Sequence, residues 1–230
     1  MIAGAKAVLR KGIHMKSFAV IGMGLFGSEI ASKLYERGKD VLAMDTDAER
    51  IDNIADHVSK AVVADARKRD ILLQLGVDKC DCAIVAMTSD LSASVLITMN
   101  LEAIGVKHII CKATDETDKE ILEKLGANEV IIPEKITADK LCRNLIFGNI
   151  IEYVALSDNC SIVEIKVPGS WVGKTIVELN VRAKHGINVI AIKNKMGISA
   201  FIDINYMLAK DDSLLLIGDA DVMTKIERLG

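Results

Sequence analysis

From Ser17 to about Phe147, short apolar runs alternate with longer stretches of helical spacing. The runs predict strands at Ser17–Ile21, Asp40–Asp45, Ala61–Ala64, Ala83–Ala86, His108–Cys111 and Glu129–Ile132. Between them, Leu91, Val95, Thr98, Met99 and Glu102 recur at three-and-four intervals, and Ile121, Leu122 and Leu125 do so ahead of a Gly126 stop. Alternating β and α with short links predict an α/β fold, a Rossmann-like doubly wound parallel sheet of six strands.

Pro133 ends the sixth strand, and Thr137 to Phe147 reads as a helix with Leu141, Leu145 and Ile146 on one face. Gly148-Asn149 marks a boundary, after which the pattern changes. Adjacent strands are predicted at Ile150–Leu156 and Ser161–Val167, with a turn at Ser157-Asp158-Asn159. A short helix follows at Thr175–Asn180, then strands at Ile187–Ile192 and Ser213–Ile217 and a closing helix at Asp221–Leu229. This is a small α+β domain. The expected division is 1–14 as an N-terminal extension or cloning scar, 15–147 as the Rossmann domain and 148–230 as the second domain. Met15 is the expected natural start.

Half of the 230 residues are hydrophobic and only 3% are aromatic, so aliphatic side chains carry the burial, as in buried parallel strands. A net charge of −3 with no dense basic stripe gives no nucleic-acid signal. No apolar run reaches the roughly 18 residues that a membrane helix needs. The five cysteines, an odd number without a secretion signal, fit a reducing cytosol. Cys80-Asp81-Cys82 lacks metal or redox spacing and reads as structural.

The chemistry sits after the first strand, in Gly22-Met23-Gly24-Leu25-Phe26-Gly27. Gly22 permits the tight turn, Gly24 leaves room for a pyrophosphate, and Gly27 lets the following helix pack close, so that its N-terminal N–H groups face an anion. Asp45 ends the second strand near the expected spacing of roughly 20 residues, where it would accept hydrogen bonds from ribose hydroxyls. It disfavours a 2′-phosphate but does not separate NAD from ATP or ADP. A dehydrogenase needs a proton donor or acceptor beside its hydride path. His14, His57, His108 and His185 stand in no such arrangement, and no Ser/His/Asp order or phosphate-loop lysine motif is present.

The glycine turn, Pro133-Glu134-Lys135 after the sixth strand, and the run Leu179-Asn180-Val181-Arg182-Ala183-Lys184-His185-Gly186 together resemble the RCK (regulator of potassium conductance) proteins of the KtrA/TrkA group. The resemblance runs from Met15 to Gly230 and makes the second domain an RCK_C (TrkA_C) module. It implies a cytosolic, non-enzymatic, nucleotide-binding gating subunit of a bacterial potassium uptake system. Such subunits pair through the Rossmann domain and form homo-oligomers, typically octameric rings. They lie at the inner face of the membrane beneath a KtrB/TrkH-like translocating subunit. ATP and ADP bias the ring between conformations, and some TrkA relatives respond to NAD(H).

Residue by residue, the resemblance places Gly22, Met23, Gly24, Leu25, Phe26 and Gly27 at the phosphates, Asp45 and Thr46 at the ribose and Asp65 at the adenine. Lys112 lies near the nucleotide, and Glu134 helps hold a divalent or monovalent cation against the phosphates. Leu25 departs from the family, whose turns commonly carry an arginine there that reaches the neighbouring subunit's terminal phosphate. In the second domain Arg182, Ala183, His185 and Asn188 match positions that face the phosphates of cyclic di-AMP, with Ile176 and Val177 at its base. The proline common in the family near Ile202 is missing. The alternative reading is an NAD-dependent oxidoreductase or NAD(H) redox sensor. A nucleotide-dependent DNA-binding repressor would need a basic recognition helix, and the chain shows none.

Overall fold

The computed structural model describes residues 15–87, 90–146, 150–157 and 159–219. They fall into two compact units divided between Ile136 and Thr137.

The first unit alternates strictly: β1 Ser17–Ile21, α1 Leu25–Glu36, β2 Asp40–Asp45, α2 Ala48–Ile54, β3 Lys60–Val63, α3 Arg69–Gln74, β4 Cys82–Val85, α4 Leu91–Ala103, β5 Ile109–Lys112, α5 Glu116–Lys124 and β6 Glu129–Ile131. The strands form one parallel sheet in the order β3-β2-β1-β4-β5-β6. Both faces are covered. Ala19 and Ile21 of β1 belong to one apolar cluster with Met44, Val85, Ile97 and Leu101, whereas Phe18 and Val20 belong to another with Val41, Ala43 and Ile84. The expected doubly wound sheet is therefore present, and the strand order reverses between β1 and β4. Ligand crevices open at such a switch point, outside the carboxyl ends of the strands.

Two helices differ from the sequence expectation. In α4 the buried stripe is Ala93, Ser94, Ile97, Thr98 and Leu101, while Leu91 and Met99 are exposed. Apolar residues lie all round the helix, so its spacing does not single out a face, and Ile97 and Leu101 enter the core beside the small Ala93, Ser94 and Thr98. The helix expected from Thr137 begins four residues earlier, as α6 Pro133–Ile146. Pro133 both closes the strand and opens the helix, because its missing N–H and fixed φ suit the first helical position. Ile136, Leu141, Leu145 and Ile146 are all exposed on α6.

The second unit contains β7 Ile150–Ser157, β8 Cys160–Lys166, α7 Ile176–Leu179, α8 Val181–His185, β9 Asn188–Asn194, β10 Gly197–Ser199 and β11 Ser213–Gly218. Its five-stranded sheet runs β10-β9-β11-β8-β7 with every pair antiparallel. One face is the core, where Val163, Ile165, Ile192, Leu214 and Leu216 meet Trp171, Leu179, Val181 and Leu208. Thr175 and Asn180, expected inside one short helix, are instead its caps. Thr175 forms a capping box with Glu178, and Asn180 at φ 46° ends α7 and starts α8. Asn tolerates that left-handed backbone better than most residues. The ninth strand runs Asn188–Asn194 rather than Ile187–Ile192, and the short β10 had no sequence signal. The expected Asp221–Leu229 helix, the 1–14 extension, residue 158 of the expected turn and the Gly148-Asn149 boundary lie outside the described residues.

Candidate functional site

The glycine turn joins β1 to α1 at the switch point. Gly22 has φ 95° and its N–H donates to the Met44 carbonyl at 2.8 Å. A β-carbon on Gly27 would lie 1.9 Å from the Gly22 carbonyl oxygen, so only glycine lets α1 sit this close to the turn. Around Gly24 a β-carbon would meet nothing within 4 Å. The fold itself does not require a small residue there, and the space before the α1 N-terminus is left clear.

Asp45 is only 9% exposed and is already engaged. Its Oδ2 accepts the Met23 N–H at 2.6 Å and its Oδ1 accepts the Asp47 N–H at 2.9 Å. The carboxylate thus ties the end of β2 to the glycine turn, while Arg50 Nη1 stands 3.7 Å from Oδ2.

A cleft of about 480 Å³ opens beside this turn. Of the residues singled out from sequence, Gly22, Gly24, Asp45, Thr46 and Asp65 line it. Sequence reading missed Arg50, Arg67 and Asp90, which also line it. Arg67 grips Asp65 with two donors, Nε to Oδ1 at 2.8 Å and Nη2 to Oδ2 at 3.1 Å. This guanidinium holds the Asp65 carboxyl below the usual aspartate range. The available signals were the Arg67-Lys68-Arg69 run two residues after Asp65, and an arginine in the first helix after Asp45.

A second group forms beside the turn. Lys112 Nζ lies 2.7 Å from Glu134 Oε1 and 5.5 Å from the centre of the Phe26 ring. The lysine is mostly buried and the glutamate mostly exposed. Lys112 pulls the Glu134 carboxyl below its ordinary value, chiefly by donating this hydrogen bond. The two residues and Phe26 are therefore brought together, but they do not line the cleft. Met23 is buried with its N–H already given to Asp45, and Leu25 projects with 86% exposure; neither lines the cleft. Among the described residues no three His, Cys, Asp or Glu side chains converge as metal ligands. A cation at Glu134 would therefore compete with Lys112 and draw further ligands from elsewhere.

In the second unit Arg182 and Ala183 are exposed on α8, His185 is half-buried at its end, and Asn188 is exposed at the start of β9. Val177 is exposed, whereas Ile176 and Ile202 pack on the core. None of these lines that unit's cleft of about 490 Å³, whose walls carry Lys166, Lys193, Lys195 and Lys210.

Burial pushes the Cys82 thiol up to about 12 and the Cys111 thiol up to about 11, so neither is a ready nucleophile. Asp81 between Cys80 and Cys82 is structural. Its Oδ2 accepts the Lys16 N–H at 2.8 Å and the Ser17 N–H at 3.2 Å, pinning the start of β1.

A Rossmann unit with a glycine turn at its switch point, followed by a small antiparallel-sheet unit, defines a two-part RCK-type protein. The TrkA-N domain family matches residues 18–133 and the TrkA-C domain family residues 161–229. The chain belongs to this TrkA-N/TrkA-C family, together with the Ktr potassium uptake proteins. It is 34% identical over 213 residues to Ktr system potassium uptake protein C of Bacillus subtilis (strain 168), covering 93% of this chain and 96% of that one. It is 35% identical over 218 residues to Ktr system potassium uptake protein A of the same organism, covering 95% and 98%. Among solved structures, the GsuK RCK domain superposes with a TM-score of 0.67 at 19% identity, over 94% of this chain and 47% of that one. GsuK bound to ADP superposes with a TM-score of 0.50 at 26% identity, over 56% of this chain and 34% of that one. Among the described residues no helix is long and apolar enough to cross a membrane.

Proposed function

We propose that this chain is a nucleotide-switched regulatory subunit of a potassium uptake system, binding ATP and ADP in the cleft at the β1/β4 switch point. The observation that carries the reading is the combination of the Gly22 turn, the cleared approach at Gly24 and the Asp45 carboxylate along one side of that cleft. Phosphates would take the first-turn N–H groups of α1, whose N-terminus favours negative charge. The ribose would meet Asp45 and Thr46, and the base Asp65. Lys112 and Glu134 would act at the phosphate side, Glu134 by accepting a cation once Lys112 releases it. Leu25 cannot make the charge contact of an arginine, so discrimination between ATP and ADP would rest on other groups.

Residues 15–147 serve as the nucleotide domain and 148–230 as the RCK_C domain. The subunit pairs into a homo-oligomer, an octameric ring in this reading, and passes its conformational change to a membrane translocating subunit from the cytoplasmic side. A ligand shifts such an equilibrium only by binding one state more tightly than the other. Arg182, Ala183, His185 and Asn188 form a second, cyclic di-AMP site. A regulatory rather than enzymatic role is the reading that agrees with the Ktr potassium uptake proteins to which the chain is similar.

Thermal stabilisation by ATP, ADP and NADH, each with and without Mg²⁺, tests the reading. A ligand at 100 times its Kd adds about 2.7 kcal/mol, and Tm rises by roughly 2–4 °C per kcal/mol in a chain of this size. Stabilisation by ATP and ADP is expected. Stabilisation by NADH alone would replace the reading with an NAD(H) sensor or oxidoreductase, and no effect of any nucleotide would end it.

A further inference from the structure

The cleft has no aromatic side chain among its described lining residues. Ala64, Ala66, Ala93 and Ile97 offer apolar surface without a π face, which leaves the guanidinium groups of Arg50 and Arg67 as the flat, delocalised surfaces available to a base. The two arginines are held differently. Arg50 makes single contacts, 3.4 Å to Asp47 and 3.7 Å to Asp45. Arg67 is gripped at two points by Asp65, and its own backbone N–H donates to the same carboxylate at 3.1 Å. Two parallel bonds hold the guanidinium and carboxylate close to one plane, so the orientation of the Arg67 face is set before any ligand arrives. Asp65 is largely covered and Arg67 half-exposed, and Arg67 lines the cleft.

We infer that Arg67 is the stacking wall for the nucleobase, a specificity-determining residue oriented by Asp65, which selects ligands with a large planar base. The inference rests on the nucleotide reading above. Charge is not the selecting property here, because Asp65 already neutralises it; the rigid plane is.

Calorimetric titration of the full chain with ATP tests this, comparing wild type with Arg67→Ala and Arg67→Lys. Lysine keeps the positive charge and loses the plane. Both variants are expected to bind ATP about tenfold more weakly, the scale of one lost base stack, with the unliganded Tm of Arg67→Lys close to wild type. If Arg67→Lys binds ATP as tightly as wild type, charge suffices and the stacking role is overturned. If both variants match wild type, the inference falls while the nucleotide reading stands. If wild type itself binds no ATP, both fall together.

Discussion

Asp45 holds the glycine turn from the neighbouring strand, its Oδ2 accepting the Met23 N–H at 2.6 Å. A residue chosen from sequence as a ribose ligand is therefore also a structural tie. Each carboxylate oxygen has a second lone pair, so both duties are compatible. Asp45→Ala removes a charge-assisted hydrogen bond and leaves the Met23 N–H without it. A loss of about 1.5–3 kcal/mol is expected, together with the loss of stabilisation by ATP and ADP. Asp45→Asn, whose amide oxygen still accepts, should fall between. Urea denaturation with and without nucleotide reads both effects, and wild-type behaviour of Asp45→Ala in both would disprove them.

Gly27 and Gly24 separate packing from binding. With the Gly22 carbonyl 1.9 Å from its β-carbon, Gly27→Ala forces α1 off the sheet. A loss of about 3 kcal/mol or more is expected, at or above the upper range of overpacking. Gly24→Ala meets open space at φ −71°, so its stability cost stays under about 1 kcal/mol, the scale of a changed N-cap. The added methyl group stands where the phosphate would approach, and nucleotide affinity should fall. Unchanged affinity in Gly24→Ala would contradict the assignment of the turn.

The sheet was legible because each strand is a short aliphatic run closed by a polar or glycine-bearing link, and strand positions agree with the structure to within a residue or two. The face of α4 was not, because apolar residues lie all round the helix and its buried side includes the polar Ser94, Thr98 and Asn100, which leaves no apolar stripe to read. Gly22, Gly24, Asp45, Thr46 and Asp65 reach one cleft because all lie at or just beyond the carboxyl ends of the adjacent strands β1, β2 and β3. Arg67 and Arg50 were missed because their significance lies in the carboxylates beside them, Asp65 hydrogen-bonded twice by Arg67 and Asp45 3.7 Å from Arg50, and such pairing follows from the turn after each strand rather than from residue type. The Phe26–Lys112–Glu134 group joins residues from three separate elements, whose approach only the strand order β1-β4-β5-β6 dictates.

Glu134 offers a direct reading of the Lys112 contact. Its carboxyl is held below the ordinary glutamate value of 4.5, first by the hydrogen bond from Lys112. A folded value below the unfolded one means that the pair's contribution to stability is complete above about pH 4.5 and is lost as pH falls through the folded value. Glu134 is mostly exposed, and solvent screening keeps that contribution small. The sensitive measurement is therefore an NMR titration. In Lys112→Met the Glu134 carboxyl should titrate higher than in wild type, near its ordinary range. An unchanged titration would show that the 2.7 Å pair does not persist in solution.

The surface around α8 depends on one backbone position. Asn180 lies at φ 46°, ψ 45°, ending α7 and starting α8, and so aims the segment Arg182–His185. Asn180→Gly adopts this conformation freely and should preserve stability. A β-branched residue is strained there, and Asn180→Val should cost about 1–2 kcal/mol. Arg182 itself is exposed, so Arg182→Ala should leave the unliganded melting temperature within a degree or so of wild type, as surface changes usually do. If Arg182 binds a phosphate of cyclic di-AMP, the same change removes a forked, charge-assisted contact and with it most of the stabilisation that this ligand confers. The comparison of Arg182→Ala with Asn180→Gly is informative because the first removes a ligand group and the second leaves it in place. Loss of the cyclic di-AMP response in Arg182→Ala alone would support the site. An equal response in both variants and wild type would remove Arg182 from it, and no response in wild type would remove the site altogether.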